Sequence, residues 1–325
     1  SGKSSERNIL SKESIEENLD SIKSQLEKFL DFSESIKNPA VILNNAEWLE
    51  KINYLDFLRD TGKHFTINYM MKKESVKSRL SRDTGISYTE FSYMTLQAYD
   101  YLYLYENYNC ILQMGGSDQL GNIIAGVDLI NKKNPGNSSP LAHGIVFPLI
   151  TSNSGEKFGK TAGSAPTLDP KETSPYKLYQ FFINTTDEDV INYIKYFTDL
   201  GEANINDIYN ESLNNPKSRI AQKKLADIIV ETVHGKDGLS EALRITDYFF
   251  KEEYNELSIS DLEDLMESYP SSELSIKLLN SEISIGKLLV ENNVFKSMGE
   301  MRRMSSQGAL YINGERVTEI TNNFN

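Results

Sequence analysis

Through the first 150 residues, strand-like strings alternate with segments of helical periodicity, and this alternation limits the possible folds more than any other feature. Ala40-Val41-Ile42-Leu43 is a short apolar run closed by Asn44-Asn45, which reads as a buried strand. Thr89 to Tyr108 carries a long helical pattern. Cys110-Ile111-Leu112 is strand-like, Gly115-Gly116 breaks it, and a helix runs from Ser117. Gly144-Ile145-Val146-Phe147-Pro148 reads as another strand. Strands separated by helices predict an α/β fold built on a doubly wound parallel sheet. Ahead of them, Ile15, Leu19, Ile22, Leu26 and Leu30 recur at helical spacing after Ser11, an N-cap residue type.

Residues 151–170 are polar and contain Gly and Pro, as a surface loop does. Ser174 to Ser268 is mostly helical and reads as a bundle; Ser268–Ser284 reads as a linker. The last segment predicts a helix over Ile285–Asn292 and another over Ser297–Ser306. A strand–turn–strand about Asn313-Gly314 follows.

Charge supports that division. The chain of 325 residues has 34 Lys+Arg against 47 Asp+Glu, a net charge of −13. Residues 281–325 hold five of each sign, so the whole excess lies in residues 1–280. A neutral tail on an acidic body predicts a separate module with its own partner. The acidic total argues against a chain that coats nucleic acid by bulk charge, though not against a local basic face. No apolar run reaches the roughly 18 residues of a membrane-spanning helix. A single cysteine, Cys110, excludes an internal disulfide framework and any multi-cysteine zinc site. His64, His143 and His234 are too scattered for a histidine-rich metal site. The chain opens Ser1-Gly2-Lys3-Ser4-Ser5-Glu6-Arg7, without Met or signal pattern, and reads as starting inside a loop.

Several constellations can carry chemistry. Tyr93, Gln97 and Asp100 stand at i, i+4 and i+7, so one helix face presents a phenol, an amide and a carboxylate. Apolar neighbours Phe91, Met94, Leu96 and Tyr99 predict a mostly buried helix whose polar groups need partners. A small zwitterion with an ammonium and a hydroxyl would supply them; an internally satisfied network is the alternative. Gln113-x-Gly115-Gly116-Ser117-Asp118-Gln119 places two glycines between a strand and a helix N-terminus, where ligands of open α/β sheets bind. There Asp118 could hold a ribose hydroxyl pair, and Gln113 or Gln119 a carboxylate; the alternative is a tight turn capped by Ser117 or Asp118. Gly155-Glu156-Lys157-Phe158-Gly159-Lys160-Thr161 is a loop able to close over phosphates, or simply a solvated surface segment. Gly2-Lys3-Ser4 and Gly159-Lys160-Thr161 each end like a Walker loop. The first lies too near the start to show the earlier Gly, and Ser154 occupies that position in the second. Lys217, Arg219, Lys223 and Lys224, and the pair Arg302-Arg303, could touch a phosphate backbone or form solvated helix faces.

Taken together these residues resemble the tyrosyl-tRNA synthetases of bacterial and organellar type. The resemblance rests on Ser1-Gly2-Lys3-x3-Arg7, Phe57-Leu58-Arg59-Asp60-Thr61-Gly62-Lys63-His64-Phe65, Asn68-Tyr69-Met70-Met71 and Glu90-Phe91-Ser92-Tyr93. It continues in order through Gly115-Gly116-Ser117-Asp118-Gln119, Lys157-Phe158-Gly159-Lys160-Thr161, Ala221-Gln222-Lys223 and Val233-His234-Gly235. It implies a Rossmann-like catalytic domain over residues 1–165 with a phosphate loop at 155–161. A helical anticodon-binding domain over 166–268 and a small α+β RNA-binding module over 281–325 would follow. The implied reaction joins tyrosine to ATP as tyrosyl-adenylate and then passes the tyrosyl group to tRNA(Tyr).

By resemblance, Tyr93 and Gln97 hold the tyrosine ammonium, and Asp100 accepts the substrate phenol and so selects against phenylalanine. Gln119 lies near the carboxylate and α-phosphate. Gly115, Gly116, Asp118 and Lys160 bind ATP, with Asp118 on the ribose. Lys157, Lys160 and Thr161, with Lys3 and Arg7, stabilise the departing pyrophosphate. Mg²⁺ arrives with ATP, and no resident metal is implied. A homodimer is implied, with no membrane association, in a bacterial cytoplasm or, as the alternative, an organellar matrix. The family's His-Ile-Gly-His signature and first sheet strands are not in this sequence, which implies a fragment with little activity alone and an exposed sheet edge. The module also stops before the family's basic closing strands. Three rivals stand beside this reading: the related tryptophan enzyme, a non-catalytic RNA-binding protein derived from a synthetase, and a Walker-type NTPase.

Overall fold

The computed structural model describes residues 10–80, 85–136, 139–152, 158, 166–251, 254–268, 284–312 and 315–317. The chain forms two compact units, one of residues 31–161 and one joining residues 1–30 to 162–325.

The first unit carries the parallel sheet. Strand β1 (Leu112–Gly116) pairs with β2 (His143–Phe147) in parallel register, from Leu112↔His143 to Gly116↔Phe147. Parallel strands need a crossover, and the helix supplying it spans Leu120–Lys133 after a 3₁₀ turn at Ser117–Gln119. A long helix, Tyr88–Tyr108, lies against that crossover. Its start is written locally: Ser87 accepts from the Glu90 backbone N–H at 3.2 Å in an S-x-x-E capping pattern. Its end is Asn109, in the left-handed region at φ 53°.

Two glycines set the spacing of these layers. A Cβ on Gly126 would stand 2.8 Å from Tyr101 Cδ1, and one on Gly144 would collide with Ile123 Cγ2. Tyr101 is fully buried at 0% exposure, and its hydroxyl donates to the His143 carbonyl at 2.8 Å, tying the long helix to the start of β2. Around it pack Met94, Ala98, Leu102, Ala125, Leu129 and Ile130.

Three expectations are corrected here. Ala40–Leu43 is not a strand: Val41 is 67% exposed, and Ala40 N donates to the Asp31 carbonyl at 2.8 Å. Among the described residues no strand lies beside this run to pair with it, and an apolar string marks burial without supplying a ladder partner. Gly115 and Gly116 do not break the strand either; they are its last two paired residues. The long helix is also less buried than its apolar neighbours suggest, since Leu96 is 37% exposed.

The second unit is helical. Lys12–Leu26 forms a helix after Ser11, whose side chain accepts from Ser14 N at 3.2 Å. Pro175–Ile183, Val190–Phe197, Glu202–Asn214, Ile220–Phe250 and Ile259–Ser268 follow. The 31-residue member of this set bends at Gly235, with φ 74° and ψ −178°. Tyr176, Ile245, Leu257 and Leu265 form one of its cores. The C-terminal segment gives helices at Ile285–Glu291 and Met298–Ser306 and an antiparallel pair, Tyr311–Ile312 with Glu315–Arg316. The Asn313-Gly314 turn and most of the expected linker lie outside the described residues. Among the described residues no helix is long and apolar enough to cross a membrane.

Two substitutions test these backbone constraints. Gly126→Ala gains about 1 kcal/mol of helix propensity but overpacks against Tyr101 at about 1–3 kcal/mol. A net loss of about 1 kcal/mol is expected in urea unfolding, with Gly126→Val losing more. Gly235→Ala meets no neighbour within 4 Å among the described residues, so its expected loss of about 1–3 kcal/mol is backbone strain. Unfolding curves read at equal m-value decide both.

Candidate active site

The site is assembled from one face of the long helix and the turn that leaves β1. Label the helix Ala46–Leu49 α1, Tyr88–Tyr108 α2 and Leu120–Lys133 α3. Tyr93, Gln97 and Asp100 stand along α2: Tyr93 is 58% exposed, while Gln97 and Asp100 are half-buried. Gly115 and Gly116 end β1, and Asp118 and Gln119 occupy the 3₁₀ turn before α3.

A line of hydrogen bonds joins the two groups. Gln119 Nε2 donates to Asp118 Oδ2 at 3.3 Å. Asn122 Nδ2 donates to Gln119 Oε1 at 3.4 Å and to Gln97 Oε1 at 3.0 Å. Gln97 lies one turn before Tyr101, and Asn122 one turn before Gly126, so the close Tyr101–Gly126 approach brings the polar pair together on the next turn. The matched steps also mean that α2 and α3 run in the same direction.

Asp100 is served separately. Trp48, 5% exposed on α1, donates its indole Nε1–H to Asp100 Oδ1 at 2.9 Å. The indole stacks on Tyr103 with ring centroids 4.5 Å apart. Burial pushes the Asp100 carboxyl above its ordinary range, and the indole hydrogen bond opposes that rise. One carboxylate oxygen thus accepts the indole hydrogen bond.

The glycines make room for the turn. A Cβ on Gly116 would lie 2.7 Å from Asp118 Oδ1 and 3.2 Å from Leu149 Cδ2; one on Gly115 would lie 3.2 Å from Gln119 Cβ. Neither Ser117 nor Asp118 caps the helix: the 3₁₀ turn has Gly116 and α3 has Gln119 in the N-cap position, both without a side-chain cap bond. The capped-turn alternative is therefore not what forms.

Not every expected residue enters this cluster. Lys3, Arg7, Lys157, Lys160 and Thr161 lie outside the described residues. Gln113 lies on β1, with Oε1 buried and without a hydrogen-bond partner among the described residues. Arg219 is engaged in the fold: its guanidinium donates to the Ile183 and Thr185 carbonyls at 2.7 and 3.0 Å. That removes it from the expected basic cluster, while Lys217, Lys223, Lys224, Arg302 and Arg303 are exposed. Among the described residues no three His, Cys, Asp or Glu side chains gather as metal ligands.

Sequence reasoning missed Trp48 and Asn122. Asn122 was within reach of it, four residues after Asp118 and three after Gln119 at helical spacing. Trp48 was not: it is 52 residues from Asp100, and only packing joins them.

The family model described as tRNA synthetases class I (W and Y) matches residues 1–251, and the model for the tyrosine–tRNA ligase SYY-like C-terminal domain matches residues 261–325. Tyrosine–tRNA ligase 1 of Bacillus subtilis strain 168 is 46% identical over 320 residues, covering 98% of this chain and 74% of that protein. The tyrosine–tRNA ligase of Geobacillus stearothermophilus is 45% identical with the same coverage. Among solved structures, a C-terminally truncated Aspergillus nidulans mitochondrial tyrosyl-tRNA synthetase matches with a TM-score of 0.60 and 32% identity, over 74% of this chain and 70% of that one. The corresponding Coccidioides posadasii structure matches at 0.56 and 33%, over 69% and 64%.

The raised Asp100 pKa makes a pH prediction. A carboxyl whose folded pKa lies above its unfolded value adds stability below the unfolded pKa, and that contribution is lost as pH rises through the folded pKa. Asp100→Asn does not titrate. Its stability relative to the parent should therefore improve from about pH 4 to about pH 7, read by urea unfolding at both. A constant difference would mean that the carboxyl titrates normally.

Proposed function

The chain belongs to the tyrosine–tRNA ligase family of class I aminoacyl-tRNA synthetases, and we propose how its residues divide that reaction. The enzyme uses ATP to activate tyrosine, giving tyrosyl-adenylate and pyrophosphate, and transfers the tyrosyl group to tRNA(Tyr). The observation that carries the assignment is the hydrogen bond from Asn122 to Gln97, with its extension to Gln119. It sets the amide of α2 beside the turn residues at the end of β1, where a ligand of an open α/β sheet binds.

Tyr93 and Gln97 take the substrate ammonium, and Asp100 accepts the phenol with the oxygen that Trp48 leaves free. Phenylalanine would then leave that half-buried carboxylate oxygen without its partner, which is the costly case. Gln119 faces the substrate carboxylate and the α-phosphate. Asp118 takes the ribose hydroxyls, with Gly115 and Gly116 letting the nucleotide approach the backbone. The carboxylate that attacks the α-phosphate is already ionised, so activation needs no general base. The residues position the reactants and stabilise charge.

Lys157, Lys160 and Thr161, with Lys3 and Arg7, are assigned to the pyrophosphate by resemblance. Mg²⁺ would arrive with the nucleotide, since it usually binds through substrate phosphates. The helical segment 166–268 and the module 281–325 are proposed to bind tRNA. A homodimer is proposed on the resemblance alone. The proposed compartment is the cytoplasm, where amino acid, ATP and tRNA meet.

Tyrosine-dependent ATP–pyrophosphate exchange tests the reading, run on the protein as its gene encodes it. Exchange is expected with tyrosine and not with tryptophan. Asp100→Asn should lower kcat/KM for tyrosine far more than for phenylalanine. Binding of tRNA with no exchange would replace the ligase with an RNA-binding protein, and a tryptophan preference would move the chain to the sister enzyme.

A further inference from the structure

Three polar side chains on the β1–α3 turn and α3 share one hydrogen-bond sense. Asp118, as a carboxylate, only accepts. The Gln119 bond to it at 3.3 Å therefore uses one N–H of the amide and leaves the other, and the Gln119 carbonyl is the end turned to Asn122. Asn122 meets it with its NH₂ group, at 3.4 Å, and gives the second N–H of the same group to Gln97 Oε1 at 3.0 Å. Both donors of one amide are thus spent on the carbonyls of two glutamines. An amide is nearly symmetric in shape, so packing alone distinguishes poorly between its two ends, and hydrogen-bond partners decide which end faces where.

We propose that Asn122 is a positioning residue for activation: it fixes the polarity of Gln97 and Gln119, so that Gln97 keeps its carbonyl at the ammonium site and Gln119 its N–H on the carboxylate and phosphate side. The inference rests on the ligase reading above. Asn122 need touch neither substrate. It carries the sense set by the Asp118 charge at the nucleotide end across to the amide at the tyrosine end. Without it, either glutamine turns over at little steric cost and offers an N–H to an ammonium, or a carbonyl to a carboxylate, each a repulsive contact.

The test compares Asn122→Asp with Asn122→Ala in tyrosine-dependent pyrophosphate exchange, using the protein as its gene encodes it, with melting temperatures recorded alongside. Asp keeps the shape of Asn but only accepts, so it turns both carbonyls away; Ala merely removes the donors. Asn122→Ala should lower kcat/KM for tyrosine by about tenfold or more, and Asn122→Asp should lower it further. A packing role predicts the opposite order, because Asp is nearly isosteric. Asn122→Ser, which keeps one donor, should fall between the parent and Ala, and it serves if Ala does not fold. In a Gln97→Ala/Gln119→Ala background, Asn122→Ala should add less than about twofold. Asp milder than Ala, or a full extra loss in that background, overturns the assignment while leaving the ligase reading intact. Absence of exchange in the unaltered protein overturns the ligase reading, and this inference with it.

Discussion

The α/β unit depends on one close approach, that of Tyr101 to Gly126. The two helices come near enough to share polar contacts because residue 126 has no Cβ; any larger residue would press on the Tyr101 ring at 2.8 Å or less. The same tyrosine anchors its hydroxyl on the His143 carbonyl at 2.8 Å, so α2 is fixed to the sheet as well as to α3. One helical turn away, that spacing becomes the Gln97–Asn122 bond. A packing contact and a polar contact are therefore successive turns of the same interface.

The proposed site offers polarity more than charge. Its described members are amides, a phenol and two carboxylates, and the cations assigned to the pyrophosphate come from other segments. This arrangement suits a reaction whose nucleophile is already ionised. What the protein must supply is orientation and a few well-aimed dipoles. Asp100 shows the cost of such placement: burial raises its pKa, and the Trp48 indole compensates only in part. A half-buried acceptor of this kind is what lets a site prefer a hydroxylated substrate to its deoxy analogue.

Much of this was legible along the chain because the determinants are local. The long helical pattern ending at Tyr108, the i, i+4, i+7 face of Tyr93, Gln97 and Asp100, and the strand–helix–strand order around β1 and β2 all follow from short-range periodicity. The failures also have physical causes. Ala40–Leu43 has the composition of a strand, yet strand formation needs a partner that composition cannot name. Gly115-Gly116 has the look of a breaker, but parallel pairing accepts glycine where the returning turn must pass close overhead. Arg219 looked free to bind phosphate, and instead it closes the end of a helix 34 and 36 residues earlier in the chain.

The sequence by itself carried the order of β1, its crossover helix and β2, the shared helix face of Tyr93, Gln97 and Asp100, and the family to which the chain belongs, since motifs at fixed spacing survive without coordinates. Only the tertiary structure decided which of those residues act on each other. It set Trp48 on Asp100 across 52 residues and Asn122 on Gln97 across 25. The physical reason is that side-chain polarity and approach distance are fixed by packing between distant segments. A residue's neighbours in space, unlike its neighbours in the chain, exist only once Gly126 and Tyr101 have met.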